Sequence, residues 1–335
     1  MAVSAFEFEK PIAELEELLG ALRAPEKRAE AEAQGIDLDE AIATLEGQLR
    51  QAMRQVYGHL TPWEKTLMAR HKDRPYSLDM IRLIFDDYME ISGDRLCAND
   101  EAIVAGFAHL AGMPLAVTGQ QKGRDLKERQ RRNFGSARAE GFRKALRVAQ
   151  LAARFGKPVV SFVDTAGAAA DLRAEQHGVS EAIARNLAAF SVLPVPTVAV
   201  VIGEGGSGGA IALGVADRVL MLEHAIYSVI APEGCAAILW HDKAKAAEAA
   251  DALRLTAQSA LDLGLIDEVV CEPLGGAHRD PAAAAAAVRE ALERHLAEIS
   301  AMDRQELLDR RYRRLRSFGV FGAVAPGGDA SAEGE

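Results

Sequence analysis

The sequence predicts an α/β fold, in which a sheet of mainly parallel strands is covered by helices and preceded by a helical N-terminal arm. Apolar residues recur at helical spacing through the first sixty positions. From about Ala102 onward, short apolar runs alternate with amphipathic stretches, a pattern typical of strands that alternate with helices. Helical patterning returns after "LIDEVV", residues 265–270. We therefore expect an arm over residues 1–90, a domain over residues 91–320 and a disordered tail over residues 321–335, which carry no apolar pattern.

The predicted arm consists of two amphipathic helices. The apolar positions of the first are Ile12, Leu15, Leu19 and Leu22, and those of the second are Leu38, Ile42, Leu45, Leu49, Met53 and Val56. A charged link that ends on Gly35 joins them, so we expect an antiparallel hairpin. Since an apolar stripe must be covered, the arm is expected to pack both on its own domain and on a partner protein.

The first half of the domain has the pattern of a strand pair followed by a helix, a strand and a second helix. Two apolar segments flank "AGM", residues 111–113, which predicts a hairpin. The first helix is expected to stop before Gly156 and Pro158, and the second to begin with Ser180 as its N-cap. The segments are "AIVAGFAHL" (102–110), "PLAVTGQ" (114–120), "EGFRKALRVAQLAARF" (140–155), "PVVSFVD" (158–164) and "SEAIARNLAAF" (180–190).

The second half continues the alternation of strands and helices. Its last helix is expected to carry Pro232 in the first turn, where a proline is well tolerated. The strands and the helix before it are "PTVAVVI" (196–202), "SGGAIALGVA" (207–216, the helix), "DRVLMLE" (217–223) and "AIYSVI" (225–230).

Composition narrows the classes of function. A net charge of −10 disfavours nucleic-acid binding over the whole surface. The first residues lack the basic and apolar regions of a signal peptide, and no apolar run approaches the ~20 residues of a membrane span, so we expect a cytoplasmic protein. Cys97, Cys235 and Cys271 fit no zinc-binding spacing; we expect reduced, buried thiols and no metal ligands. The basic cluster in residues 122–132 is expected to be a solvated helix face, with contact to phosphates or an acidic partner as the alternative.

The segment "GEGGSGGA", Gly203 to Ala210, lies between a predicted strand and a predicted helix and admits three interpretations. It fits the letters of G-x-G-x-x-G, but a lone match late in the chain is a weak indication of a dinucleotide site. It also satisfies G-x-S-x-G with Ser207 as a hydrolase nucleophile, although no downstream histidine lies in a motif that singles it out. In the third interpretation, Gly208 and Gly209 leave main-chain N–H groups exposed at a helix N-terminus, where they stabilise an oxyanion.

Two further segments place polar residues near this one. Asp164 and Thr165 end a predicted parallel strand, where polar pairs commonly face a crevice, although local turn chemistry explains them equally well. "APEGCA", residues 231–236, offers another helix N-terminus. We expect Glu233, in the first turn, mainly to interact favourably with the helix dipole, and secondarily to line a site.

Several separate blocks, in the right order, closely resemble the alpha-subunit family of bacterial acetyl-CoA carboxylase carboxyltransferases. The similarity extends from "FEKPIAELEELL" (8–19) to "DRRYRRLRSFG" (309–319). The blocks between are "GQQKGRDLKERQRRNFG" (119–135), "EGFRKALR" (140–147), "SEAIARNL" (180–187), "GEGGSGGAIALGVADRV" (203–219), "YSVIAPEGCAAILW" (227–240) and "EPLGGAHRDP" (272–281). The resemblance implies a crotonase-like spiral of ββα units with a helical N-terminal arm, so that residues 91–320 would form a crotonase-like carboxyltransferase domain.

The resemblance also implies a reaction and a set of partners. A carboxyl group would pass from carboxybiotin on a carrier protein to acetyl-CoA, giving malonyl-CoA for fatty acid synthesis. The chain would act in an α2β2 assembly with a beta subunit that carries zinc and mainly binds CoA, and biotin carboxylase would join the larger complex. No covalently bound cofactor is expected on this chain.

The site residues follow from the same resemblance together with the glycine segment. Gly208 and Gly209 match the alpha-subunit oxyanion hole, whose N–H groups would face the ureido oxygen of biotin. Residues expected to bind substrate or biotin are Gly205, Gly206, Ser207, Asp164, Thr165, Gly167, Ala168, Pro232, Glu233 and Gly234.

Two segments depart from the pattern usual in the family. Where the family has "NFGMPxPEG", this chain has Ser136, Ala137 and Ala139 in place of a methionine and two prolines. Where the family has "DTPGAYPG" and "AEERGQ", this chain has Ala166, Ala169, Ala170, Asp171, Gln176, His177 and Val179. Two alternatives to the standard activity therefore stay open: a subunit with altered specificity, or a non-catalytic scaffold of the same assembly.

Overall fold

The structure is a computed structural model that describes residues 6–27, 31 and 37–319. The predicted disordered tail, 321–335, and Gly35 at the end of the predicted arm link lie outside the described residues.

Helices and strands alternate along the chain as the sequence pattern predicts. The helices are α1 Lys10–Leu22, α2 Leu38–Gly58, α3 Pro62–Ala69, α4 Ser77–Ile84, α5 Leu126–Arg131, α6 Ala139–Arg154, α7 Leu172–Gln176, α8 Val179–Ser191, α9 Ser207–Gly214, α10 Pro232–Trp240, α11 Ala246–Ala252, α12 Ala257–Asp262, α13 Pro281–Ser300 and α14 Arg304–Arg316. The strands are β1 Asp86–Glu90, β2 Ile103–Leu110, β3 Met113–Gln120, β4 Val159–Thr165, β5 Thr197–Gly206, β6 Arg218–Leu222, β7 Ile226–Ser228 and β8 Glu268–Val270.

The strands form one open sheet of mixed direction in the order β1-β2-β3-β4-β5-β6-β8, with β7 paired to β5. Strands β1, β2 and β3 are antiparallel, and the predicted hairpin is present with Leu110 opposite Met113 at its turn. The remaining pairs are parallel. Every residue of β4 is buried, as expected for a strand covered on both faces. The predicted α/β class is confirmed.

Strand β5 runs past the end predicted for it. The sequence pattern stops the strand at Ile202, but the structure continues it through the glycines to Gly206. The reason is a change of neighbour: Val198–Val201 pair with β6, whereas Glu204–Gly206 pair with β7. The first half of the glycine segment is therefore strand, and its second half opens helix α9.

Two local predictions need correction. Helix α8 begins at Val179 rather than after Ser180, because Gly178 occupies the N-cap position with a left-handed φ of 75°. The three cysteines are free as expected, but only Cys235 is buried. Cys97 and Cys271 are exposed because they lie in connecting segments next to β2 and β8, outside the core.

The arm packs on its own domain, which was one of the two contacts predicted for it. Within the arm, Ile12 of α1 and Tyr57 of α2 are buried in one cluster with Met68 of α3, and Arg279 of the domain donates to the hydroxyl of Tyr57 at 3.2 Å. At the contact with the domain, the rings of His71 and His278 lie 4.0 Å apart. Burial lowers the pKa of His278 to about 3. The expected packing on a partner stays a prediction.

The last described helix, α14, is tied to the sheet by one buried guanidinium. Arg311 is 1% exposed, and its Nε and one terminal nitrogen donate to the two carboxylate oxygens of Asp217 at 2.8 and 2.6 Å. Its other acceptors are the carbonyl oxygens of Phe190, Leu193 and Val195, at 2.7–2.9 Å. These hydrogen bonds compensate for the hydration that the guanidinium loses on burial, and so allow a charged group in the core.

A second buried ion pair joins Arg74, beside α3, to Glu272 after β8. One guanidinium nitrogen donates to Glu272 Oε2 at 2.9 Å, and Nε donates to the carbonyl of Ile202 at 2.7 Å. Burial alone would raise the pKa of Glu272, but the guanidinium outweighs it and lowers that pKa to about 2.

Candidate active site

The glycine segment brings the end of β5 to the start of helix α9. Gly206 is the N-cap, and Ser207, the first helical residue, has a left-handed φ of 50°. The N–H groups of Gly208 and Gly209 donate to no acceptor within the described part of the chain. Two donors and the positive end of the helix dipole are thus available for a ligand oxygen.

The glycines around this turn differ in why they are required. A Cβ at Gly206 would lie 2.2 Å from the carbonyl oxygen of Ala166, and one at Gly209 would lie 2.7 Å from the main-chain nitrogen of Ala168. Both contacts are with main chain, which cannot move aside cheaply. A Cβ at Gly208 would meet only Ile183 Cδ1, at 3.6 Å. Gly208 is therefore the glycine that close packing does not explain.

Two glycines earlier in the segment make room for side chains. A Cβ at Gly203 would lie 2.3 Å from Asp164 Oδ1, and one at Gly205 would lie 2.6 Å from Tyr227 Cδ2. Thr165 pairs with Gly205 across β4 and β5. The fold therefore brings the predicted residues of β4 and β5 together.

A chain of alternating charges runs beside these strands. Lys122 Nζ donates to Asp164 Oδ1 at 2.7 Å and to Glu204 Oε2 at 2.9 Å. Arg70 Nε donates to the other oxygen of Glu204 at 2.7 Å, and its terminal nitrogens reach both oxygens of Glu233 at 2.5 and 3.3 Å. This chain of charges connects the end of β4, the glycine segment and helix α10.

Each side chain in this chain of charges is kept ionised by its charged neighbours. Burial favours neutral Lys122, but the two carboxylates outweigh it and raise the pKa of the ammonium above its ordinary value. Burial likewise disfavours ionised Glu204, yet Lys122 and Arg70 lower its pKa below the ordinary range. Arg70 lowers the pKa of Glu233 against the opposing effect of burial. Near neutral pH Lys122 is protonated, and the lowered pKa values of Glu204 and Glu233 make their carboxylates weak bases, so none of the three is suited to act there as a general base.

One amide links this chain of charges to the helix. Gln120 Nε2 donates to the carbonyl of Gly209 at 2.9 Å, and its Oε1 accepts the N–H of Asp164 at 3.0 Å. Thr165 Oγ1 donates to the carbonyl of Gly167 at 2.7 Å and accepts the N–H of that residue at 3.1 Å. Thr165 thus closes a local turn, which is one of the two roles considered for it.

Helix α10 presents its N-terminus with Pro232 at the first position. Glu233 lies in the first turn, and its carboxylate is engaged by Arg70. A Cβ at Gly234 would lie 3.2 Å from the side chain of Ile230. Both effects expected of Glu233 are therefore compatible with its position: it suits the helix dipole and belongs to the chain of charges.

Two cavities adjoin the start of α9. An apolar groove of about 480 Å³ is lined by Ser207 and Gly208 together with Ile211, Tyr227, Val229, Leu265, Arg314 and Phe318, among others. A second cavity, of about 320 Å³, is lined by Arg70, Tyr76, Lys122, Arg129, Phe134, Ala166 and Glu204. The N-terminus of α9 therefore lies between an apolar surface and a charged one.

The hydrolase interpretation finds little support in the geometry. No hydrogen bond joins Ser207 to a histidine among the described residues, so Ser207 lacks the base that a serine nucleophile requires. Ser207 shares with a nucleophile elbow its position between a strand and a helix and its left-handed φ, but it lacks the base.

The sequence pattern missed several residues of this site. Lys122 was expected to lie on a solvated helix face. It is instead largely buried between the carboxylates of Asp164 and Glu204, which lie on neighbouring strands of the sheet. Arg70, Gln120 and Glu204 were not singled out either. Arg132 is also buried, whereas the side chain of Arg131 is 55% exposed, as a solvated helix face requires.

The two segments that depart from the family pattern contact each other. The N–H of Ala169 donates to the carbonyl of Ala137 at 2.9 Å. Asp171 accepts two bonds from Arg138, at 2.5 and 3.0 Å. The two altered segments are thus in direct contact, and Ala166 from the second of them lines the charged cavity.

Comparison with known proteins agrees with this architecture. A family model described as acetyl co-enzyme A carboxylase carboxyltransferase-like matches residues 5–319. The chain is 50% identical over 327 residues to an acetyl-coenzyme A carboxylase carboxyl transferase subunit alpha from Acidithiobacillus ferrooxidans, covering 97% of this chain and 100% of the relative. It is also 50% identical over 319 residues to the subunit of that name from Vibrio campbellii, covering 95% and 99% of the two chains.

Among solved structures, transcarboxylase 12S superposes with a TM-score of 0.52 at 24% identity, over 65% of this chain and 41% of the other. That likeness concerns the fold and identifies it as the crotonase-like fold of carboxyltransferases. Among the described helices, none combines the length and apolarity needed to span a membrane. The extent of the family match and the identity to its members lead to one conclusion: this chain belongs to the acetyl-CoA carboxylase carboxyltransferase alpha-subunit family.

Proposed function

We propose that this chain transfers a carboxyl group from carboxybiotin, presented by a carrier protein, to acetyl-CoA, and that it does so with a beta subunit in an α2β2 assembly. Its family membership supports the reaction type. The observation that carries the assignment of the site is the pair of unpaired N–H groups at Gly208 and Gly209. Such donors bind a carbonyl-type oxygen and become more effective as negative charge develops on it.

The residues of this chain divide the work as follows. The N–H groups of Gly208 and Gly209 hold the ureido oxygen of biotin. When bound, carboxybiotin would supply the carboxyl group and, once that group has left, a basic ring nitrogen. Gln120 fixes the carbonyl of Gly209 and so orients the first turn of α9. Lys122 and Glu204 keep β4 and β5 in register at the strand ends. Gly206 and Gly209 let the main chain at Ala166 and Ala168 pack closely against the start of α9, and Gly205 makes room for the ring of Tyr227.

The partner composition is also part of the proposal. The beta subunit would bind CoA and carry the zinc, the biotin carboxyl carrier protein would deliver carboxybiotin, and biotin carboxylase would complete a cytoplasmic complex for fatty acid synthesis. The apolar stripes of the arm and the groove beside Gly208 are surfaces that such an assembly could cover. The division into an arm, 1–90, and a domain, 91–320, belongs to this proposal as well.

Reconstitution tests the function directly. The chain is mixed with a beta subunit from the same source, and complex size is measured together with malonyl-CoA turnover in the presence of biotin. Turnover in an α2β2-sized complex supports the proposal. A complex of that size without turnover for acetyl-CoA or any other acyl-CoA would instead identify a scaffold, the role left open by the altered segments.

A serine variant separates the hydrolase alternative. Ser207→Ala leaves the N–H donors in place, so carboxyl transfer should persist within about tenfold. A hydrolase would lose on the order of a thousandfold or more of its rate. Loss of that size in the reconstituted assay, with the complex intact, would overturn the N–H-based site.

A further inference from the structure

Three metal-ligating side chains from separate segments meet beside the first turn of α6. They are Cys97, Glu140 and His177. Cys97 Sγ lies 3.8 Å from His177 Nδ1, and that nitrogen lies 2.5 Å from Glu140 Oε1. The ligand atoms offered by the three residues all lie within 4.8 Å of one another. The residues are far apart in the sequence, which explains why no spacing motif revealed them.

The loop that carries Cys97 has a fixed main chain. Asp94 Oδ1 accepts the N–H groups of Leu96, Cys97 and Ala98 at 3.0, 2.8 and 3.1 Å. Those bonds stabilise ionised Asp94, because together with Arg143 they lower its pKa against the opposing effect of burial. The thiol is therefore held close to His177 rather than on a freely moving loop.

The main chain at His177 is fixed as well. Arg143 in α6 donates to the carbonyl of His177 at 2.5 Å, and Gly178 follows at the N-cap of α8 with a left-handed φ of 75°. All three ligand segments are thus attached to α6 or contain part of it. A site assembled in this way needs little reorganisation when it binds an ion.

Glu140 has an unused oxygen in this cluster. Its side chain is 1% exposed, and Oε2 has no hydrogen-bond partner among the described residues. A Glu140–His177 ion pair alone would leave both the buried oxygen and the adjacent thiol without a role.

We propose that Cys97, Glu140 and His177 form a binding site for a late first-row divalent transition ion of the Zn²⁺ type. A thiolate, an imidazole and a carboxylate favour such ions over Mg²⁺ and Ca²⁺. Three protein ligands leave a fourth, tetrahedral position for water. On binding, the thiol of Cys97 releases its proton to solvent as the sulfur–metal bond forms. The proton between His177 Nδ1 and Glu140 Oε1 also leaves to solvent, and the bound imidazole keeps one proton, on Nε2.

The distances require only a small adjustment. Ligand atoms around tetrahedral Zn²⁺ lie about 3.4–3.6 Å apart, given metal–ligand bonds of roughly 2.0–2.3 Å. The Cys97–His177 separation of 3.8 Å is already close to this value. The imidazole and carboxylate must separate by about 1 Å, which rotation of Glu140 toward the use of Oε2 would provide. Arg173, which donates to Glu140 at 3.4 Å, has a half-exposed side chain that can move into solvent.

The site is separate from the start of α9, so it does not depend on the proposed carboxyl transfer. His177 is one of the positions at which this chain departs from the family pattern, where arginine is usual. A metal site here is therefore a property of this chain and of relatives that share its three ligands.

Cobalt substitution tests the proposal on the full chain. The protein is treated with a chelator, freed of it, and titrated with Co²⁺ in the presence of a non-thiol reductant. We expect near-ultraviolet thiolate-to-cobalt absorption and visible bands of tetrahedral Co²⁺ that saturate at one ion per chain and disappear when Zn²⁺ is added. Cys97→Ser should abolish the thiolate band, and His177→Arg should weaken binding by at least about tenfold.

Cys271→Ser is the matched control, because Cys271 is also an exposed thiol but lies outside the cluster. This variant should titrate like the unmodified chain. Circular dichroism verifies that each variant is folded, and exposed Cys97 should tolerate serine. The proposal is overturned if no thiolate band forms, if the band survives in Cys97→Ser, or if Cys271→Ser removes it.

Discussion

Alanine substitutions at the two adjacent glycines of α9 should have opposite consequences for stability. In Gly209→Ala, the added methyl group would lie 2.7 Å from the nitrogen of Ala168 and 2.8 Å from the carbonyl carbon of Gly167. In Gly208→Ala, the methyl group would meet only Ile183 Cδ1, at an ordinary distance of 3.6 Å. The two changes are chemically identical, so only their surroundings differ.

The expected magnitudes follow from two opposing effects. Forcing a methyl group into packed surroundings costs about 1–3 kcal/mol. Alanine is favoured over glycine in a helix by up to about 1 kcal/mol. Gly209→Ala should therefore lose about 1–2 kcal/mol of unfolding free energy. Gly208→Ala should be neutral or gain less than about 1 kcal/mol, since the helical gain meets no clash.

Chemical denaturation, followed by circular dichroism and tryptophan fluorescence, gives the comparison through the shift in midpoint at constant slope. The same proteins are then assayed with the beta subunit. Gly208→Ala should be stable yet slower in carboxyl transfer, because its methyl group lies beside the N–H donors. Equal midpoints for the two variants, or a less stable Gly208→Ala, would refute the packing argument. Full activity in Gly208→Ala would refute the role given to Gly208.

Three further expectations concern buried charges. Arg74→Met leaves Glu272 buried without its cation and should cost about 3–5 kcal/mol in denaturant unfolding; adding Glu272→Met should recover part of the loss, and an unchanged midpoint in the single variant would contradict the assignment. For His278, the pKa in the folded protein is about 3 against an ordinary 6.5, so the unfolded chain binds more protons between these values. The unfolding free energy is unaffected above that window and should fall as pH drops through it, by up to about 1.4 kcal/mol per pH unit; midpoints measured across the window should show a smaller slope in His278→Gln, and an equal slope would argue against this histidine. Arg311→Lys loses the planar guanidinium and should cost about 3 kcal/mol or more, with faster proteolysis near the C-terminus; exposed Arg313→Lys is the control and should behave like the unmodified chain.

The sequence pattern predicted the elements well because their signals are local. Apolar alternation located the hairpin of β2 and β3, and helical spacing located α1, α2 and α6. The N-cap of α8 was misplaced because a serine is the commoner cap, whereas Gly178 supplies a left-handed conformation that spacing does not encode. Register and neighbour changes, such as the switch of β5 from β6 to β7, depend on contacts between distant segments.

The candidate site was predicted only in part, because several of its contacts also join distant segments of the chain. The glycine segment is conspicuous in the sequence, but the need for Gly203 arises from the carboxylate of Asp164, 39 residues earlier in the chain. Lys122 has a sequence context of solvated charges, and its partners lie 42 and 82 residues along the chain. Cys97 was expected to be buried because it is isolated in the sequence, whereas the fold leaves it exposed beside His177. Contacts of this kind become visible only once the chain is folded.

The position of Arg311 has a consequence for the order of events during synthesis. The acceptors for its guanidinium, Asp217 and three carbonyl groups in residues 190–195, are made more than ninety residues before it. Until α14 has left the ribosome, these acceptors lack the donor that Arg311 supplies, although Asp217 Oδ2 already accepts the N–H and the hydroxyl of Thr197. The core of this subunit can therefore reach its final packing only after α14 has been synthesised, and until then a nascent chain would rely on solvent or a chaperone to shield these acceptors.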